Sequence, residues 1–123
     1  MLTELWKLPE PSSGRVRVEF NQPGGRECFV DCLFDPDGRD TYRLRFEGVE
    51  SYKATFFEAC TIEMGDAYDR VVDLGATPWL NEVSSELSRQ GAANSGLQHL
   101  MIYFDDGPCY EFICRSFEAR ENG

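Results

Sequence analysis

The 123-residue sequence predicts an α+β fold: a curved antiparallel sheet of about six strands, made of a four-stranded meander plus a C-terminal hairpin, with one main helix packed on it. Three observations predict this. Apolar and polar residues alternate with period 2 over most of Arg15 to Ile62. Two apolar-aromatic runs flank Asp105-Asp106-Gly107, a strong hairpin signal, and Pro78 to Gln90 has helical apolar spacing with matching start and stop residues. At this length roughly 65% or more of the unfolded surface can be buried, so residues 1–123 are expected to form a single domain without covalent staples.

Taken in order, Leu2, Leu5, Trp6 and Leu8 precede Pro9, Pro11 and Ser12-Ser13-Gly14, which reads as a short apolar arm anchored by Trp6 before a loop. Val16, Val18 and Phe20 then alternate with Arg15, Arg17 and Glu19, and Cys28, Val30, Cys32 and Phe34 with Glu27 and Asp31. Asn21 to Gly25 turns the first pair, and Asp35-Pro36-Asp37-Gly38 turns the chain again, since proline presets the first central residue of a turn and glycine suits its end. Tyr42, Leu44 and Phe46 form the third strand, and Tyr52 to Ile62 reads as a longer, more apolar fourth. The wet face collects Arg15, Arg17, Arg43, Arg45 and Lys53 among Glu19, Glu27, Asp31 and Glu47, a mixture suited to cross-strand ion pairs.

Beyond Ile62 the alternation stops, and Ala67 to Gly75 reads as a short turn or helix closed by glycine. The main helix follows: Thr77 can cap it, Pro78 suits its first position, Trp79, Leu80, Val83 and Leu87 make an apolar stripe, and Gly91 can end it. Gly91 to Gly96 reads as a flexible connector. In the hairpin, a three-residue loop of Asp105, Asp106 and Gly107 puts Leu100, Ile102 and Phe104 on one face with Tyr110, Phe112 and Cys114. His99, Met101 and Tyr103 share the other with Cys109, Glu111 and Ile113. A four-residue loop including Pro108 would set Glu111 among apolar neighbours, where an unpaired carboxylate costs several kcal/mol.

Charge is the most informative bulk property, with 22 acids against 12 bases. Residues 1–57 carry 10 acids and 8 bases, net −2, and residues 58–123 carry 12 acids and 4 bases, net −8. Duplex nucleic acid and anionic membranes are poor partners for that second half. The first eleven residues lack a basic start and a long apolar run, and no segment approaches the 18 or so apolar residues that span a bilayer, so a cytoplasmic location is expected.

Five cysteines leave an odd thiol, and Cys28 and Cys32 on one strand stand about 13 Å apart at the usual rise per residue, too far for a bridge. A zinc site from Cys28, Cys32 and His99 lacks a fourth ligand, and Asp105, Asp106 and Glu111 are a weak magnesium signal already explained by turn formation, so no cofactor or metal is expected. The one histidine, His99, lies near Glu111 in the hairpin register. With Asp105 this defines the candidate enzymatic face, although no Walker loop, dinucleotide fingerprint or His-Glu-x-x-His helix accompanies it.

Two stretches, Tyr68-Asp69-Arg70-Val71-Val72-Asp73-Leu74-Gly75-Ala76-Thr77-Pro78-Trp79-Leu80 and His99-Leu100-Met101-Ile102-Tyr103-Phe104-Asp105-Asp106-Gly107 with Cys109-Tyr110-Glu111, resemble small bacterial proteins of the toxin-immunity type. The resemblance implies a protein that blocks a toxin by direct binding. Joined to the charge asymmetry, it makes an acidic inhibitor of a basic toxin or nuclease the leading expectation, with Asp66, Asp69, Asp73, Glu82, Glu86, Asp105 and Asp106 as partner-binding residues. The alternatives are a small metal-dependent or small-molecule enzyme at His99, Glu111 and Asp105, and a structural subunit of a bacterial complex.

Overall fold

The computed structural model describes residues 2–122. The chain is α+β, with antiparallel sheets and one main helix, and its nine strands divide between two sheets. Strands β1 (Thr3–Lys7), β6 (Arg70–Asp73), β7 (Gln98–Tyr103), β8 (Cys109–Cys114) and β5 (Ser51–Thr55) form one sheet in that spatial order. Strands β2 (Arg17–Gly24), β3 (Glu27–Leu33), β4 (Thr41–Glu47) and β9 (Ser116–Asn122) form the other.

The inward faces of both sheets meet in one apolar core. Val30, Leu44 and Phe46 come from the four-stranded sheet, and Val71, Leu100, Ile102 and Phe112 from the five-stranded one. Phe46 stacks on Phe112 with ring centroids 3.9 Å apart, and Phe20 stacks on Tyr110 at 5.5 Å. Such offset aromatic pairs add to the burial of their surface. A smaller cluster of Ala67, Val72, Met101 and Cys109 covers the opposite face of the five-stranded sheet.

The hairpin register is the one the sequence predicts: Leu100 faces Phe112, Ile102 faces Tyr110 and Tyr103 faces Cys109. Two of the three loop residues have positive φ. Gly107 N–H donates to Phe104 O at 2.8 Å, and Asp106 inside that turn has φ 58, as a type II turn requires, while Gly107 follows at φ 74. Aspartate tolerates this region better than most residues because its short polar side chain suits local hydrogen bonding.

The four-stranded meander is corrected by the pairing. After β4 the chain leaves its sheet, so the fourth strand pairs with β8 (Tyr52 opposite Phe112), and β9 takes the vacant place beside β4 (Leu44 opposite Ala119). Gly48 makes this crossing possible: at φ 65 it turns the chain, and a Cβ there would lie 2.9 Å from the Cβ of Arg115. Arg115 is the single residue between β8 and β9, so both crossings occur back to back, tied by Arg115 N to Glu47 O at 2.9 Å and Glu50 N to Ile113 O at 2.8 Å.

Three further expectations change. The fourth strand stops at Thr55 instead of running to Ile62, and 3-10 turns at Phe57–Ala59 and Ile62–Ala67 follow. The segment read as a turn or helix is β6, which lies between β1 and β7 with Val71 and Val72 fully buried on opposite faces. A strand buried on both faces shows no alternation, which hid it. The connector at 91–96 is pinned, because the Asn94 side chain bonds Ser84 O at 3.2 Å and Ser88 Oγ at 2.8 Å on the helix.

Helix α1 (Pro78–Arg89) starts as predicted, with Pro78 in its first turn and Thr77 Oγ1 accepting from Leu80 N–H at 3.2 Å. Its stripe residues Trp79, Leu80, Val83 and Leu87 are half-buried, and Trp79 meets His99 edge-on at 5.0 Å. The wet face of the four-stranded sheet carries two cross-strand ion pairs of the expected kind, Arg43 with Asp31 and Arg45 with Glu27, and two pairs each within a single strand, Arg45 with Glu47 and Arg17 with Glu19, whereas Arg15 turns to the carbonyls of Ser12 and Gly107 and Lys53 lies on the five-stranded sheet.

All five cysteines are free thiols. Burial pushes Cys28 up to about 11 and Cys32 and Cys114 up to about 12, and raises Cys109 as well. Thiolate is the reactive form, so at about pH 8 an aromatic disulfide reagent should titrate Cys60 alone in the native protein, more slowly than free cysteine because burial raises this thiol too. The other four should appear only on unfolding. Phe112→Ala removes the ring at the centre of the aromatic stack and should cost about 3–5 kcal/mol in denaturant unfolding.

Candidate functional site

The outer face of the five-stranded sheet holds two of the three candidate enzymatic residues, His99 and Glu111. His99 and Glu111 lie on adjacent strands as diagonal neighbours, 5% and 9% exposed, with Nε2 and Oε1 2.8 Å apart. On the other side of the ring, Nδ1 lies 2.7 Å from Thr77 Oγ1, the same oxygen that caps the helix. One proton arrangement satisfies every group: Thr77 accepts from Leu80 N–H and donates to Nδ1, and Nε2–H donates to Glu111. Trp79 closes over the ring, and Lys53 Nζ sits 4.0 Å from the Trp79 ring centroid.

This arrangement joins helix to sheet. Both imidazole nitrogens are engaged inside the protein and the ring is 5% exposed, so a substrate does not reach either nitrogen directly. Asp105, grouped with the pair on sequence grounds, lies at the opposite end of β7, roughly 20 Å away at the usual strand rise. It accepts from Tyr68 OH at 3.0 Å, and its backbone N–H donates to Ser12 Oγ at 2.7 Å. Among the described residues no group of three or more His, Cys, Asp or Glu is placed to hold a metal ion.

The expected partner-binding acids separate into two sets. Asp66, Glu82, Glu86 and Asp106 are exposed, and Asp105 is half-exposed. Asp69 is 7% exposed and does not present its carboxylate to a partner: Oδ2 accepts from Ser12 N–H at 3.0 Å, and Oδ1 is buried without a hydrogen-bond partner. Its backbone sits at φ 56, bonded from N–H to Tyr103 O and from O to Leu8 N–H, both at 2.8 Å. Asp69 therefore ties the N-terminal arm to the hairpin. Asp73 is half-buried and accepts from Gly75 N–H at 2.9 Å, a turn contact. Glu86 is held below the usual carboxylate value by Gln90 and Arg89.

The sequence reading missed the apolar part of the surface. Phe56, Phe57 and Ile62, expected inside a strand, are 69%, 51% and 94% exposed, and Tyr68 is exposed beside them in sequence. A concavity of about 490 Å³ lined by Gln22, Arg26, Glu50 and Tyr52 is a weaker ligand site, because Arg26 and Glu50 pair with each other across it and Arg115 also bonds Glu50.

His99→Leu should destabilise by about 1–3 kcal/mol, the cost of leaving the buried Glu111 acceptor unpartnered. The double variant His99→Leu/Glu111→Leu should recover part of that loss in denaturant unfolding, because an apolar pair leaves no orphaned carboxylate.

No family model, no curated protein and no solved structure matches the chain.

Proposed function

We propose that the protein is an acidic binding protein, an inhibitor of the immunity type that occupies a basic toxin or nuclease by direct contact. One observation carries this reading: the acids of the two halves are used differently. In the first half seven of the ten acids, Glu4, Glu19, Glu27, Asp31, Asp37, Glu47 and Glu50, each hold an arginine, whereas among the twelve of the second half Glu86 and Glu118 do. In the second, Glu58, Glu63, Asp66, Glu82 and Asp106 are exposed and form no ion pair among the described residues. Acids that serve only internal pairing are matched by bases. Unmatched, exposed acids set up a field that draws in and orients a basic surface.

An enzymatic reading finds less support, since the single histidine is enclosed by Thr77, Trp79 and Glu111. The electrostatic reading also explains why a nucleic acid is a poor ligand, whereas a nucleic-acid-binding groove on another protein is a good one.

Immobilised protein should retain a basic protein from extracts of its host at low salt and release it as ionic strength rises toward about 1 M, where the Debye length falls to about 3 Å. With that protein purified, changing Asp66, Glu82, Glu86 and Asp106 to amides should slow association and flatten its salt dependence, with little change in dissociation. Stability should be nearly unchanged, as these charges are exposed. Equal association rates for the parent and the neutralised variant would refute electrostatic inhibition.

A further inference from the structure

Three large apolar side chains, Phe56, Phe57 and Ile62, stand in water within the seven residues 56–62. They are held on a stiff base. The first turn is closed by Ala59 N–H to Phe56 O at 2.9 Å and Cys60 N–H to Phe57 O at 3.1 Å, and Cys60 and Met64 pack into the small outer cluster. Phe57 rests against the hairpin tip so closely that a Cβ on Gly107 would lie 2.9 Å from Phe57 N. Tyr68 bonds Asp105 at the same tip. Phe57 and Tyr68 thus adjoin the tip acids, and Phe56 and Ile62 lie one and five residues from Phe57 in the chain.

The charge at this end is predominantly negative. Residues 56–68 contain Glu58, Glu63 and Asp66 and no base, and residues 104–108 contain Asp105 and Asp106 and no base. Two arginines reach this end, Arg15 on the carbonyls of Ser12 and Gly107 at 3.0 and 2.9 Å and Arg70 on Asp66 O at 2.7 Å with Glu4 as its ion-pair partner, and the five carboxylates outnumber them. Exposed aromatic and aliphatic side chains with a charged rim are the composition of a protein-docking surface, in which a few apolar anchors supply affinity and the rim selects the partner.

We infer that the ridge of Phe56, Phe57 and Ile62, with the tip carboxylates Asp105 and Asp106, is the surface on which a basic protein docks, through a segment that combines arginine or lysine with apolar side chains. The inference rests on the reading of the chain as an acidic binding protein and adds where contact occurs and what the partner must present. A second copy of this chain is a poor occupant, because a two-fold contact would set the same five carboxylates against themselves. An anionic lipid surface is repelled by them in the same way.

The test uses three peptides of equal length on the whole chain labelled with nitrogen-15: one of alternating arginine and leucine, one of arginine alone, and an uncharged one of alternating serine and leucine. The arginine-leucine peptide should shift the amides of 56–68 and 105–107 and bind at least tenfold more tightly than either of the others. In a Phe56→Ser/Phe57→Ser/Ile62→Ser variant that advantage over the arginine peptide should vanish, while arginine-peptide binding is retained. The variant should fold, as all three side chains are exposed, and an unchanged amide spectrum elsewhere checks this. If both cationic peptides bind equally and shift the helix amides near Glu82 and Glu86 instead, the docking surface is overturned and the acidic-binder reading stands. If neither cationic peptide outbinds the uncharged one, both fall. Sedimentation showing a dimer that the triple variant disperses would assign the ridge to self-association and overturn the inference.

Discussion

The fold depends on a double crossing between its two sheets. The chain passes from β4 to β5 through Gly48, and from β8 to β9 through Arg115, and the crossings are stacked so tightly that only glycine fits opposite Arg115. The Arg115 guanidinium then holds Gly48 O at 3.2 Å, Glu50 at 2.6 Å and Ala93 O at 2.8 Å, joining both crossings to the connector after the helix. Strands that change sheets form the corners of packed β-layers. Here two corners brace each other, so β8 and β9, nearly continuous in sequence, belong to opposite layers and close the core from two sides.

The buried polar groups have comparable mechanical tasks. Asp69 joins the N-terminal arm, β6 and the hairpin through its carboxylate and both backbone groups. The Thr77–His99–Glu111 chain clamps the N-terminus of the helix onto the sheet, using one threonine oxygen both as helix cap and as histidine partner. Buried polar side chains are tolerated when they are hydrogen-bonded, and both nitrogens of His99 meet that requirement. The orphaned Asp69 Oδ1 is the exception, and Asp69 is also one of the two non-glycine residues with positive φ among the described residues.

With the interior acids accounted for, what remains at the surface is a division of labour. The four-stranded sheet pairs Arg43 with Asp31 and Arg45 with Glu27 across its strands, which lowers the net charge of that face. The 3-10 turns, the hairpin tip and the helix carry Glu58, Glu63, Asp66, Glu82 and Asp106 exposed without an ion-pair partner among the described residues, and the 3-10 turns also carry exposed Phe57 and Ile62. The proposed docking of a basic protein draws on both properties, long-range attraction by the acids and short-range contact by the apolar side chains.

The amino-acid sequence alone determined the local elements whose signals are local. Gly107 and its two aspartates set the hairpin register, and Thr77-Pro78 with the Trp79, Leu80, Val83, Leu87 stripe set the helix, because turn chemistry, capping and periodicity act over a few residues. The alternation of Cys28, Val30 and Cys32 showed which side chains point inward, and the charge count showed where the acids lie in the chain. Tertiary structure alone decided which strands are neighbours, since period 2 identifies a buried face and is silent about the partner across the ladder. It therefore decided that β9 replaces β5 beside β4 and that Val71-Val72 is a strand buried on both faces. It also decided the fate of individual polar and apolar groups: Asp69 is enclosed, Asp105 is remote from His99, and Phe56, Phe57 and Ile62 face solvent. Exposure is a property of what the rest of the chain packs against a residue, and no local pattern encodes it.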